Sequence, residues 1–296
     1  MTELASPQLA ALSRLFSSGV VRELARRGRS PLFARLVRQS HVLATFPTSE
    51  SVHWLFDAAF RLLKRQGCRD EYVYKAALVH KILLGRHSLQ TASMLNEFRV
   101  GGCKADLAIL NGTATVYEVK SERDSLVRLQ RQIAAYTTVF SRVYVITAET
   151  HMNTVMRSLP EEIGVLQLSG RHQISTLREA VDRPERTSPA AIFDSIRTGE
   201  ARLILQARGV SIPAVPNTQQ RAVLRRLFGS LSAHEAHESM VQVLKRTRNL
   251  LRLSDLVAEL PESLHTAALS VPLRKVDHAR LVTAVNTPLK DALAWA

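Results

Sequence analysis

A chain of 296 residues, 46% hydrophobic and 22% charged, has a globular composition that excludes a disordered or membranous protein. Lysine and arginine outnumber aspartate and glutamate by 40 to 26, a formal charge of +14 that points to a polyanionic partner, while only 5% of residues are aromatic, too few for a single-strand stacking platform. No apolar run approaches the ~18 residues that span a bilayer, no basic leader precedes an apolar stretch, and Cys68 and Cys103 make no disulfide framework, so a cytoplasmic protein without a membrane partner is expected.

Residues 7–65 read as helical, with Leu9, Leu12, Leu15 and Phe16 and later Val52, Leu55, Phe56, Ala59, Leu62 and Leu63 at helical spacing. Between them lies an arginine-rich stretch, Arg22, Arg26, Arg27, Arg29, Arg35 and Arg38, which also suits a solvated helix face. From Asp70 a helix of about three turns follows, with Asp70 as N-cap and Glu71 in its first turn. The period then changes. Residues 94–100, 104–110 and 113–120 are short runs rich in β-branched and apolar side chains, separated by Gly101-Gly102 and Asn111-Gly112, the pattern of an antiparallel meander. A helix over 125–141, a strand over 142–147, a helix over 150–159 and a strand over 163–168 come next. Beyond Gly170 the strand signal fades into helices broken by Pro184, Pro213, Pro216 and Pro261. The expected organisation is a helical region at 1–65, an α/β core with a mixed sheet at 66–170, and a helical region at 171–296.

Alternation along the third strand sets Val116, Glu118 and Lys120 on one face, and along the second it sets Asp106 on the face of Ala108 and Leu110. An isolated buried carboxylate is costly unless a cation or a metal compensates it. Hard divalent cations such as Mg²⁺ take carboxylate, water and phosphate oxygens. Asp106 and Glu118 would hold such an ion, and Lys120 would orient a nucleophile or offset charge on a scissile phosphate. The same residues also suit an exposed strand with a surface ion pair. Register decides between these. In a strict two-residue hairpin Leu110 pairs with Thr113, Asp106 falls opposite Tyr117, and Glu118 points to the wrong face. The shared-metal reading therefore requires a three-residue loop or a bulge between Leu110 and Thr115, with Gly112 in the left-handed conformation.

Asp106 in Lys-Ala-Asp and Glu118-Val-Lys120, with Gln132-Ile-Ala-Ala-Tyr136 on the following helix, resemble the PD-(D/E)XK nuclease superfamily and its RecB-like branch. The stretch 70–170 looks like an uncharacterised bacterial family within it, with Ala105 in place of the usual proline. The resemblance implies a restriction-endonuclease-like αβββαβ core. Asp106, Glu118 and the Val119 carbonyl would ligate Mg²⁺ or Mn²⁺, Lys120 would serve catalysis, and Gln132 would steady the site or contact DNA. It further implies a nuclease acting on DNA, in phage defence or a mobile element. An RNA-directed nuclease or toxin, and an inactive nucleic-acid-binding module, remain open on the same fold, as do a homodimer and a protein partner.

Two further acids are candidates: Glu71, where relatives place a site carboxylate but where a helix N-terminus also favours negative charge, and Glu97, which reaches the metal through water or pairs with a nearby Arg or Lys. His234-Glu-Ala-His237 sets two histidines one turn apart but lacks a third zinc ligand. The clusters Arg221, Arg225, Arg226 and Lys245, Arg246, Arg248, Arg252 track a phosphate backbone or keep the surface soluble. No glycine-rich phosphate loop or Gly-x-Ser-x-Gly elbow is present, which excludes an NTP-driven motor and a serine-hydrolase triad.

Overall fold

The structure, a computed structural model, describes residues 5–44 and 46–295; the first four residues of the expected N-terminal helical region, Thr45 and Ala296 lie outside the described residues. In chain order the helices are α1 (Ser6–Arg14), α2 (Ser18–Arg27), α3 (Pro31–Gln39), α4 (Val52–Leu63) and α5 (Glu71–Leu78). Strands β1 (Ser93–Val100), β2 (Cys103–Asn111) and β3 (Thr113–Lys120) follow, then α6 (Leu129–Tyr136), β4 (Arg142–Thr147), α7 (Glu149–Ser158), β5 (Gly164–Leu168) and β6 (Ile174–Arg178). The chain continues with α8 (Pro189–Ser195), α9 (Thr198–Ala207), α10 (Asn217–Phe228), α11 (Ala233–Thr247), α12 (Ser254–Glu259), α13 (Glu262–Ser270), α14 (Lys275–Val285) and α15 (Leu289–Ala292). This is a mixed α/β protein, and α5-β1-β2-β3-α6-β4 follows the expected αβββαβ order. Among the described residues no helix is long and apolar enough to cross a membrane.

The chain divides into two compact units, not the three consecutive segments expected: the chain up to His80 packs with the chain from Leu251 onward, and 81–250 form the second. The first unit is helical. Leu12, Leu15, Leu24, Phe33, Leu55 and Phe56 are fully buried in it, Phe16 stacks on Tyr72, and the Tyr72 hydroxyl donates to the Ser263 carbonyl at 2.5 Å, joining the two chain segments.

The second unit is built on a six-stranded sheet in the order β1-β2-β3-β4-β5-β6. The meander β1-β2-β3 is antiparallel, β4 and β5 run parallel to β3, and β6 is antiparallel to β5. Leu95, Ala108, Val116, Val145 and Val165 share one core with Tyr136, Phe140, Phe193, Phe228 and Met240. The helices beyond Gly170, α8 to α11, thus belong with the sheet. Strand β6 departs from the all-helical expectation for that region. Its residues are half-exposed or exposed, so no hydrophobic alternation announces it; backbone pairing to β5 and an Arg178 Nε bond to the Ile163 carbonyl at 2.7 Å hold it. Helix α6 is shorter than the expected 125–141 because a turn closes first, in which Asp124 accepts from the Ser121 amide and hydroxyl at 2.8 and 2.6 Å.

The hairpin between β2 and β3 takes the register that the shared site requires. Leu110 pairs with Ala114 and Asn111 with Thr113 around Gly112, whose φ of 72° is left-handed. The one-residue shift comes from this three-residue turn, and no bulge interrupts the ladder down to Leu107 and Tyr117. Beyond that pair the ladder stops, and the Asp106 side chain accepts the Val119 amide in its place.

Candidate functional site

Val116, Glu118 and Lys120 alternate onto one face of β3 and are 0%, 1% and 7% exposed. Each charge there is met by a partner. Glu118 Oε1 accepts from Lys120 Nζ at 2.8 Å and from Gln132 Nε2 at 2.5 Å, and Glu118 Oε2 accepts from the Tyr136 hydroxyl at 2.8 Å. Lys120 Nζ also donates to Gln132 Oε1 at 3.0 Å, which closes a triangle of ammonium, carboxylate and amide. Gln132 and Tyr136 stand one turn apart on α6 and so face the strand together.

The Tyr136 hydroxyl shares its proton between Glu118 and the Lys104 carbonyl, 2.9 Å away, and thereby ties α6 to both β2 and β3. Burial, and then the Glu118 charge, push its ionisation far above the ordinary tyrosine range, so it stays a neutral donor. From the other side, the Thr147 hydroxyl and the Ala148 amide donate to the Lys120 carbonyl at 3.1 and 3.3 Å and fix the end of β3 against β4. The sequence marks Tyr136 as part of a motif, but only the structure shows it bonded to the carboxylate.

Asp106 is half-buried, and its Oδ2 accepts the Val119 amide at 2.8 Å, just where the β2-β3 ladder has stopped. A strand residue directs its N–H and C=O to the same neighbour, so the Val119 carbonyl faces the same gap. Two carboxylates and a carbonyl are hard oxygen donors suited to Mg²⁺ or Mn²⁺. A carboxylate offers about four lone-pair positions. Glu118 uses three of them, which leaves Oε2 one for a cation. Among the described residues no group of three His, Cys, Asp or Glu side chains could hold a metal.

The other candidates fall elsewhere. Glu71 belongs to the helical unit and pairs with Lys75 at 2.5 Å, one turn on along α5. Glu97 takes the salt-bridge alternative, with Lys104 Nζ at 3.0 Å and both side chains half exposed. It lies between the pairs Asn96-Leu107 and Phe98-Ala105 in a left-handed conformation, φ 53°, rare for a non-glycine residue. Arg221 and Arg225 both pair with Asp194, at 3.4 and 2.9 Å, and Arg248 pairs with Glu200, so these arginines are engaged within the fold.

His237 is buried on α11 and His234 is exposed, so the two histidines do not form a site. Burial pushes the His237 ionisation down to about 4; Asp182 acts against this and His234 with it. The folded chain therefore binds this proton less readily than the unfolded chain. The stability due to neutral His237 is complete above about pH 6.5 and is lost as the pH falls toward about 4, at roughly 1.4 kcal/mol per pH unit. Urea titrations at pH 7.5 and 5 should show this loss in the wild type and a smaller one in His237→Leu; equal losses in both would contradict it.

A profile of the bacteriophage P4 protein cII family matches residues 64–259. The chain belongs to that family. A relative, Protein cII of Enterobacteria phage P4, is 25% identical over 181 residues, 59% of this chain and 66% of the relative, so the matched part falls just short of two thirds of that protein. A solved structure, the SPO1766 protein of unknown function from Silicibacter pomeroyi, aligns with 40% of this chain and 81% of its own at 22% identity and a TM-score of 0.28. The matched span of the cII family includes the whole sheet unit and every residue of the Asp106, Glu118, Lys120, Gln132 and Tyr136 arrangement.

Proposed function

We propose that this cII-family protein is a metal-dependent nuclease that hydrolyses phosphodiester bonds in DNA, a divergent PD-(D/E)XK enzyme with Asp106, Glu118 and Lys120 at its centre. The observation that carries the reading is the register set at Gly112, which pairs Leu107 with Tyr117 and leaves the Asp106 carboxylate on the Val119 amide, beside Glu118 and its partner Lys120. A sheet built only for stability has no need of two acids and a lysine there, since well-packed apolar residues do as well as a buried ion pair.

Mg²⁺ or Mn²⁺ held by Asp106, Glu118 and the Val119 carbonyl would supply an acidified water and neutralise phosphate charge. Lys120 is held by Glu118 and Gln132, and from there it would orient the attacking water and offset charge on the phosphoryl oxygens. Water adds to phosphorus, one ester oxygen leaves as an alcohol, and the proton released by the water balances the one that it takes. Tyr136 and Gln132 keep Glu118 in place. The match to a phage protein fits a cytoplasmic role in a mobile element.

A second reading has its own support. Glu118 is 1% exposed and each of its oxygens already accepts a hydrogen bond, as in a structural network of an inactive nucleic-acid-binding module. Incubating the protein with linear, circular and branched DNA, and with RNA, separates the readings. Cleavage of DNA that needs Mn²⁺ or Mg²⁺ and stops with a chelator is the expected result. Metal-independent or absent cleavage favours the binding module, and cleavage confined to RNA moves the substrate.

A further inference from the structure

The helical unit carries a charged surface that the proposed site does not use. Arg22 and Arg26 stand one turn apart on α2, Arg29 lies in the turn that follows, and Arg35 and Arg38 are three residues apart on α3; all are exposed. Their helices are one-sided. Val20, Val21, Leu24 and Ala25 on α2, and Phe33, Ala34, Leu36 and Val37 on α3, are at most 1% exposed. The connection between them is short and fixed. Gly28 ends α2 in the left-handed conformation, φ 70°, and the Ser30 hydroxyl caps α3 by accepting from the Phe33 amide at 2.9 Å. The Arg280 guanidinium donates to the Ala25 and Arg26 carbonyls at the end of α2, which ties the hairpin to α14.

Charge on this hairpin is uncompensated. Between residues 18 and 40 six arginines face one acid, Glu23, which accepts from the Ser30 hydroxyl at 2.6 Å and the Leu32 amide at 3.3 Å. Among the described residues none of the six arginines forms an ion pair. The first lysine of the chain is Lys64, so every cation of the surface is a guanidinium, whose planar fork matches phosphate oxygens where an ammonium is only a point charge. The segment also lies outside residues 64–259 matched by the cII family.

We propose that the α2–α3 hairpin is a docking surface for the phosphate backbone of duplex DNA, sequence-independent and separate from the site on the sheet. The choice of DNA as the polyanion rests on the function proposed above; the surface itself does not. A one-sided helical pair exposes several guanidinium groups within one short stretch of chain, and such contacts to phosphate give a steep salt dependence and no base readout.

The test is binding of a labelled DNA duplex to the full chain in chelator, so that cleavage plays no part, across a salt series. Replacing Arg22, Arg26 and Arg29 together by Ala should weaken binding at least tenfold near 0.1 M salt. It should also lower the slope of log affinity against log salt by about 3, near 0.9 for each phosphate that is no longer neutralised. The control removes the same charge from exposed sites of the other unit, Arg86→Ala, Arg157→Ala and Arg171→Ala, and should change affinity less than threefold. If the triple variant does not fold, Arg26→Gln alone should lower the slope by about 1. An unchanged slope in the hairpin variants, equal losses in the control, or wild-type binding to acidic phospholipid vesicles or duplex RNA but not to DNA would each overturn the proposal. Hairpin-dependent binding by a protein that never cleaves DNA supports the docking surface and removes the nuclease reading.

Discussion

Lys120→Ala is expected to lower metal-dependent DNA cleavage by at least about 100-fold, the scale on which loss of a single preorganised charge-stabilising donor acts, while duplex binding in chelator changes less than threefold. The same substitution leaves Glu118 buried without its cation, and breaking a buried pair on one side costs about 3–5 kcal/mol. Stability and activity must therefore be separated. Gln132 and Tyr136 still donate to Glu118 in that variant, so part of the loss is offset. The pair Lys120→Met with Glu118→Gln removes both charges, should recover most of the stability, and should stay inactive. A stable double variant that still cleaves would remove Lys120 and Glu118 from the chemistry.

Glu200→Ala should destabilise the protein by about 3–5 kcal/mol, a large share of the ~5–15 kcal/mol that holds a typical domain. The Glu200 carboxylate on α9 accepts from Arg248 Nε and Nη2, both at 2.8 Å, from the Thr247 hydroxyl at 3.2 Å, and from the Arg197 amide at 2.8 Å. Arg248 follows α11, its carbonyl accepts from the Ser93 hydroxyl on β1 at 2.6 Å, and its guanidinium lies 5.4 Å from the centre of the Phe98 ring. One carboxylate thus links two helices to the edge of the sheet. Burial alone would raise its ionisation, but the bonds from Arg248 and Arg197 outweigh that and hold it below the ordinary glutamate value. Its contribution is present above the ordinary glutamate range and is lost as the pH falls through the depressed value. Urea unfolding at pH 7 measures the effect; a change below 1 kcal/mol would show that the pair is not a structural link.

The central strands and their register were more legible than the architecture around them. Strands β3 and β4 have the expected bounds, Thr113–Lys120 and Arg142–Thr147, because β-branched residues alternate between turn signals there. The register was legible too, for a chemical reason: only a shift by one brings Asp106 and Glu118 to one face, and Gly112 is the residue able to supply it. Strand β6 was not legible, since an edge held by backbone pairing needs no apolar alternation. The packing of the N-terminal helices with those after Leu251 was not legible either. An amphipathic helix shows that it has a buried face, not which distant segment covers it. Glu97 shows a third limit, because its side chain reads as an ordinary strand acid while its positive φ and its bond to Lys104 depend on the local path of β1. In the arginine clusters near the C-terminus, the acids that neutralise Arg225 and Arg248 lie 31 and 48 residues away.

The most direct measurement is cleavage of a linear DNA duplex by wild type and Asp106→Asn over a Mn²⁺ titration. Asn keeps the size of the side chain and an oxygen to accept the Val119 amide, but removes the charge that a cation needs. The account predicts cleavage that rises with Mn²⁺ in the wild type and is at least about 100-fold weaker in Asp106→Asn at every concentration, with folding and DNA binding kept. Equal cleavage by both proteins, or cleavage by the wild type that does not depend on the metal, would contradict it.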